Sequence, residues 1–208
     1  MTKHLIEQQL EKRILILDGA MGTMLQNENL TPEDFGGEEL DGCNENLLLT
    51  RPDVLEKIHR EYLAAGADII CTNTFGGTPL VLNEYNIGHL ADEINTAGVR
   101  IARKAVDEFS TPEWPRFVAG AIGPTTKTLS VTGGITFDEL VENFYKQAYA
   151  LIDAGADVIL LETSQDMLNV KAGKLGTKQT FDELGKELPI MFSGKIAPLG
   201  TTLAAQTI

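Results

Sequence analysis

Two carboxylates stand where buried strands should end: Asp18 directly after the apolar run 14–17, and Glu162 directly after Val158-Ile-Leu-Leu161. A carboxylate in such a place is poorly solvated unless a cation or several hydrogen-bond donors meet it. Facing one cavity, the pair suits a cationic group such as an amino-acid ammonium, and it equally suits general acid and base catalysis. A metal is a third use, but it needs further ligands. Each residue also has a structural reading. Asp is a favoured N-cap, so Asp18 can cap the turn Gly19-Ala-Met-Gly22, and Glu162 can pair with a lysine or arginine elsewhere in the chain. Other strand ends carry Asn73-Thr74-Phe75-Gly76-Gly77, Gly123-Pro124 and Ser193. Backbone N–H groups in glycine-rich turns receive carboxylates or phosphates, or simply reverse the chain.

The remaining reactive side chains are few. His4, His59 and His89 fall in or beside predicted helices and are expected on helix faces or at the surface. Cys43 and Cys71 are too few for a disulfide framework or a four-thiolate metal site, so both read as ordinary reduced thiols. The acidic stretch 33–41 lies in the long connection between Asp18 and Thr50 and reads as a solvated loop.

The elements that must position these groups are short apolar runs alternating with helical periodicity. Strands are predicted at 14–17, 68–73, 116–122, 157–163 and 189–194, each apolar nearly throughout, as when both faces of a parallel sheet are covered. Between them Val54, Leu55, Ile58, Tyr62 and Leu63 recur at helical spacing, as do Leu90, Ile94, Ala97, Ile101 and Ala105. Leu140, Val141, Phe144, Ala148 and Leu151 do the same after Thr136-Phe-Asp-Glu139, which has capping-box form. The run Ala65-Gly66-Ala67-Asp68-Ile69-Ile70 reappears as Ala154-Gly155-Ala156-Asp157-Val158-Ile159, a helix stop followed at once by a strand. This order fits an open doubly wound sheet or a (β/α)8 barrel, and the barrel is favoured. Five βα units make an incomplete TIM barrel, with residues 1–13 as a helical extension. The whole of 1–208 then reads as the N-terminal part of a single domain, with no second domain.

Composition narrows the function. The 208 residues are 43% hydrophobic and carry a net charge of −13. That charge repels nucleic acid and anionic membranes. No apolar run approaches the roughly 20 residues of a membrane helix, and the N-terminus is not a signal peptide, so a cytoplasmic location is expected.

The order of motifs carries a resemblance. ILDGAMGTMLQ, GCNENLLLTRPDVLEKIHREYLAAGADIICTNTFGG, AGAIGPTTKTLS, TFDELVENFYKQAYALIDAGADVILLETSQDMLNVKA and PIMFSG together resemble the homocysteine-binding, homocysteine S-methyltransferase domain of bacterial cobalamin-dependent methionine synthases. The resemblance implies a (β/α)8 barrel that binds homocysteine at the C-terminal ends of its strands. It also implies a zinc ion held by three cysteines, and a methyl group from methylcobalamin, itself methylated by methyltetrahydrofolate, on another module. Zinc matters because a free thiol of pKa about 8.5 is mostly protonated at neutral pH, whereas a zinc-bound one is a thiolate. Carried over by position, Asp18, Gly19, Asn73, Thr74, Phe75, Gly123, Pro124, Glu162 and Ser193 are substrate-binding residues.

The departures are equally definite. The family's zinc ligands lie in an N-C pair and a G-G-C-C-G run, and neither occurs here, so no catalytic or metal residue is assigned in this chain. The expected partners are homocysteine and the cobalamin-carrying module or the rest of the enzyme. Gly173 and Gly176 are unfavourable in a helix, by about 0.8–1 kcal/mol each relative to alanine. Three alternatives stay open: betaine or S-methylmethionine as the methyl donor; a non-catalytic remnant or interaction protein exposing open sheet edges; and a barrel enzyme of other chemistry with Glu162 as base.

Overall fold

Apolar runs followed by amphipathic helices pair most readily as a parallel sheet, because each helix returns the chain to the same end. The computed structural model describes residues 3–198 and 200–207. It has a four-stranded parallel sheet in the order β1 (Ile69–Cys71), β2 (Phe117–Ile122), β3 (Val158–Ser164) and β4 (Ile190–Gly194). Ile70 lies opposite Val118, Gly120 opposite Ile159, and Leu160 opposite Met191. Helices α1 (Leu5–Leu10), α2 (Met21–Gln26), α3 (Pro32–Phe35), α4 (Leu47–Thr50) and α5 (Pro52–Ala65) precede β1. Helices α6 (Pro79–Leu82) and α7 (Ala91–Phe109) follow it, α8 (Phe137–Asp153) follows β2, and α9 (Met167–Leu184) follows β3. This is a partial barrel of the expected α/β class.

Three expectations need correction. The run 14–17 is not a full strand: it makes one isolated parallel bridge, Leu17 to Ile69. The N–H of Ile16 donates to the Asp68 carboxylate at 2.8 Å instead of to a neighbouring strand, which shortens the ladder. Its side chains at Ile14 and Ile16 are 84% and 55% exposed, with no helix over them. The acidic stretch is not a simple loop, since Thr31 and Asp34 form a capping box around Pro32 and start α3, whose Phe35 is buried. His59 is neither at the surface nor on an open helix face, but fully buried on α5. The helical extension is α1, with Met1 and Thr2 outside the described residues.

The repeated Ala-Gly-Ala-Asp run does the same job twice. Gly66 and Gly155 end α5 and α8 with left-handed φ of 107° and 103°, which suits glycine. The aspartate that follows then ties the start of its strand to the preceding one. Asp68 accepts from Ile16 N, and Asp157 accepts from Val118 N at 2.8 Å. Each is paired with an arginine, Asp68 with Arg13 in bidentate fashion at 2.8 Å and Asp157 with Arg103 at 2.5 Å. The Trp114 indole also donates to Asp68, at 2.6 Å.

Packing follows the alternation of the strands. Ile70, Val118, Ile122, Ile159 and Leu161 face the helices and join Val99, Ala102, Phe144 and Leu151 in one core. Ile69, Phe117, Ala119, Val158 and Leu160 face the other way, with Ile6 of α1 against them. The two helical glycines have a reason to be there. A Cβ on Gly176 would lie 2.7 Å from the backbone N of Tyr145 and O of Val141, and one on Gly173 would press on Leu161 at 3.2 Å. Glycine lets α9 lie against α8, which outweighs its poor helix propensity.

Two predictions follow from the packing. Gly176→Ala, which intrinsic propensity would favour, is expected to destabilise the protein by about 1–3 kcal/mol through overpacking, measured by urea denaturation. His59 is buried without a partner on either ring nitrogen, and burial pushes its pKa from 6.5 down to about 4. Between these values the unfolded chain binds a proton that the folded one refuses. His59 therefore makes stability fall as pH drops from 6.5 to 4, by about 3 kcal/mol in total. Comparing His59→Leu with the parent at pH 7 and pH 4.5 should show this loss in the parent alone.

Candidate functional site

The C-terminal ends of the strands and of the run 14–17 surround a cleft of about 420 Å³. Asp18, Gly19, Asn73, Phe75, Glu162 and Ser193 all line it, although they come from four separate parts of the sequence. Thr74 does not. It is fully buried, and its hydroxyl donates to Ala121 O at 2.7 Å, because the turn faces it inward. Gly123 and Pro124 line a neighbouring cavity between the sheet and α8 and α9, which shares Glu162 with the cleft. Gly123 still shapes the cleft: its N–H donates to Phe75 O at 2.9 Å, and a Cβ there would meet the Phe75 ring at 2.7 Å.

Asp18 is not an N-cap. The cap position of α2 is Ala20, without a side-chain bond, and Asp18 instead accepts from Cys71 N at 2.8 Å. Burial, with a smaller push from the Glu162 charge, raises Asp18 to about 6, against the lowering effect of the Cys71 bonds. Glu162 is raised by burial alone and has no ion pair among the described residues, so its structural reading as half of a buried pair fails. Glu45 is a third carboxylate in the same cleft, also raised chiefly by burial. Among the described residues no lysine or arginine lines the cleft. Three partly desolvated carboxylates, with no cation against them among the described residues, suit the cleft to a positively charged group.

Residues that strand-end reasoning missed hold this arrangement. Glu45 accepts from Gly76 N at 2.6 Å, and Asn73 Nδ2 donates to Asn44 O at 2.7 Å, so the Asn44-Glu45 turn clasps the Asn73–Gly77 turn. Behind it, the fully buried Gln147 donates to Thr74 O at 2.7 Å, and Asn95 donates to Gly77 O at 2.7 Å. Gly77 has no room for a Cβ, which would lie 2.6 Å from Asn95. The signal available was a pair of amides, Asn95 and Gln147, on otherwise apolar helix faces; buried amides need partners. The Tyr62 hydroxyl would come within 3.0 Å of a Cβ on Gly19 and so backs the cleft floor.

The thiols do not form a metal centre. Cys43 is buried in a cluster with Leu25, Leu47 and Leu82, while Cys71 packs in a separate cluster with Ile69 and Met191. Burial pushes Cys43 up to about 11, and burial with the Asp18 charge pushes Cys71 well above its ordinary value. Metal ligation needs thiolates, which neither site favours. Among the described residues no group of three His, Cys, Asp or Glu is placed to hold a metal ion. No described helix is long and apolar enough to cross a membrane.

A family model described as homocysteine S-methyltransferase matches residues 15–208. The fold is similar to that of the homocysteine methyltransferase MmuM from Escherichia coli. Its metallated form superposes with a TM-score of 0.78 at 20% identity, over 97% of this chain and 70% of that one. The oxidised form gives 0.76 at 21% identity, over 95% and 68%. The chain thus spans about two thirds of that protein's length, and at this identity the likeness is one of fold.

The chemistry of the two thiols gives a further prediction. Elemental analysis of the purified chain is expected to find well under one zinc per polypeptide after dialysis, and chelator treatment should leave its thermal midpoint unchanged. One tightly bound zinc per chain would show that the described cysteines and carboxylates rearrange into a site.

Proposed function

Because this chain belongs to the homocysteine S-methyltransferase family, we propose that its strand-end cleft binds the amino-acid part of homocysteine. The observation that carries this reading is the cleft lined by Asp18, Glu45 and Glu162 and, among the described residues, by no basic side chain. Asp18 and Glu162 receive the substrate ammonium, each as a charge-assisted hydrogen bond. Backbone N–H groups of the Gly19 and Asn73–Phe75 turns receive its carboxylate. Phe75, seated on Gly123, and Pro124 wall the side chain, and Ser193 closes the far edge. Binding in this way leaves the thiol at the mouth, where its sulfur accepts a methyl group to give methionine.

The methyl donor we infer is methylcobalamin, itself methylated by methyltetrahydrofolate and carried on another module, as in cobalamin-dependent methionine synthase. The TNTFGG and GPTTKTLS runs support it over betaine or S-methylmethionine. Residues 1–208 are read as the N-terminal part of one barrel domain. The open edge of β4 and the exposed Ile14, Ile16 and Phe192 support that reading, since a closed barrel leaves no such edge. The zinc of the family would hold the thiol as thiolate, but the two cysteines here do not fit it, so no step is assigned to it in this chain. A cytoplasmic location completes the proposal.

Isothermal titration calorimetry with L-homocysteine tests the pocket. Glu162→Gln is expected to weaken binding by about 1.5–3 kcal/mol, the loss of one charge-assisted contact. Affinity should rise as pH increases from 5 to 7, because Asp18, with its pKa near 6, must ionise to pair with the ammonium. Unchanged affinity in Glu162→Gln would assign that residue to the fold alone.

A further inference from the structure

The last residues of β3 depart from a regular strand at the point where the cleft begins. Leu161 lies opposite Phe192, but Ser164 lies opposite Gly194, so Glu162 and Thr163 together face the single residue Ser193. This is a β-bulge, uncommon between parallel strands and typical of places where a side chain is re-aimed. Thr163 has φ of +52°, in the left-handed region. For a β-branched residue that conformation is strained, and glycine or asparagine would hold it more easily. The bulge also breaks the alternation of the strand. Val158 and Leu160 face the concave side, and Ile159 and Leu161 face the helices. Ser164, which a regular strand would turn to the concave side above Glu162, instead lines the cavity beside Leu161 and Asn169. Glu162 is left as the last inward side chain of β3, shared by both cavities.

We propose that Thr163 is a positioning residue: alternation turns Glu162 to the concave side beside Asp18 and Cys71, and the left-handed turn at Thr163 holds it there as the last inward group of β3 by keeping Ser164 out of its way. The strain resides in one residue next to a carboxylate that has no ion pair among the described residues to hold it. Asp18, Cys71 and Glu162 line the same cleft, and the Glu162 charge raises both of the other groups. The inference rests on the reading of Glu162 as a homocysteine contact only for its functional consequence; the placement of the carboxylate is measurable without ligand.

Thr163→Pro, which fixes φ near −65°, and Thr163→Gly, which accepts a positive φ freely, separate the backbone turn from the side chain. Two quantities are read: the Glu162 carboxyl titration by ¹³C NMR without ligand, and L-homocysteine affinity by calorimetry. In Thr163→Pro the Glu162 titration should fall toward the ordinary glutamate range. Affinity should drop about tenfold or more, with no further drop when Thr163→Pro is combined with Glu162→Gln. In Thr163→Gly both should stay as in the parent, while the thermal midpoint rises. A folded Thr163→Pro protein with an unchanged Glu162 titration would overturn the proposal. So would a Thr163→Gly protein with a lower midpoint or a shifted titration, and this arm decides the matter if Thr163→Pro does not fold. If Glu162→Gln leaves affinity unchanged while Thr163→Pro shifts the titration, the substrate reading fails and the positioning stands.

Discussion

The cleft depends on how the run 14–17 is held against β1. Backbone pairing there is short: around the Leu17–Ile69 bridge, Asp68 N and Ile69 N donate to Ile16 O at 2.8 and 3.1 Å, and Asp18 N donates to Ile69 O at 2.9 Å. Two aspartates supply the rest. Asp68 at the start of β1 takes the N–H of Ile16, and Asp18 at the end of the run takes the N–H of Cys71. The first bond is anchored by the Arg13 guanidinium and the Trp114 indole, which hold the Asp68 carboxyl down at about 2 despite burial. The second has no such support, and burial raises Asp18 toward neutral pH. One end of the pairing is thus fixed by a charge network, and the other is left sensitive to whatever enters the cleft.

The same division runs through the rest of the molecule. At the N-terminal ends of the strands, carboxylates meet arginines: Asp68 with Arg13, and Asp157 with Arg103. Around the cleft at the C-terminal ends, Asp18 and Glu45 meet backbone N–H groups, and Glu162 has no ion pair among the described residues. Charges paired within the fold contribute to its stability, whereas desolvated carboxylates without a cation raise its free energy until a cation arrives. The turns that carry the second set are held from behind by uncharged groups, the amides of Asn95 and Gln147, which do not compete for a cationic ligand.

Much of the fold was legible in the sequence. Apolar runs with covered faces gave β1 to β4 within a few residues, and the Thr136-Glu139 box and the two Ala-Gly-Ala-Asp runs marked helix ends that the structure keeps. The site was legible in part: strand ends pointed to Asp18, Gly19, Asn73, Phe75, Glu162 and Ser193, which share one cleft. Thr74 escaped because alternation breaks in a turn, and Glu45 because its segment has no strand next to it in sequence. His59 was misplaced because helical spacing alone cannot say which face of α5 meets α7.

What the sequence determined by itself is periodic and local: which segments are strands or helices, where glycine ends a helix, and which carboxylates follow apolar runs. Family membership rests on the same ordered motifs. What only the tertiary structure decided is how distant groups meet, since that depends on register, burial and close approach. It alone showed that Asp18 bonds across to Cys71 rather than capping its own turn, and that Gly176 is required by the backbone of α8. It alone placed a left-handed threonine beside Glu162, a backbone state that no pattern of residue types encodes.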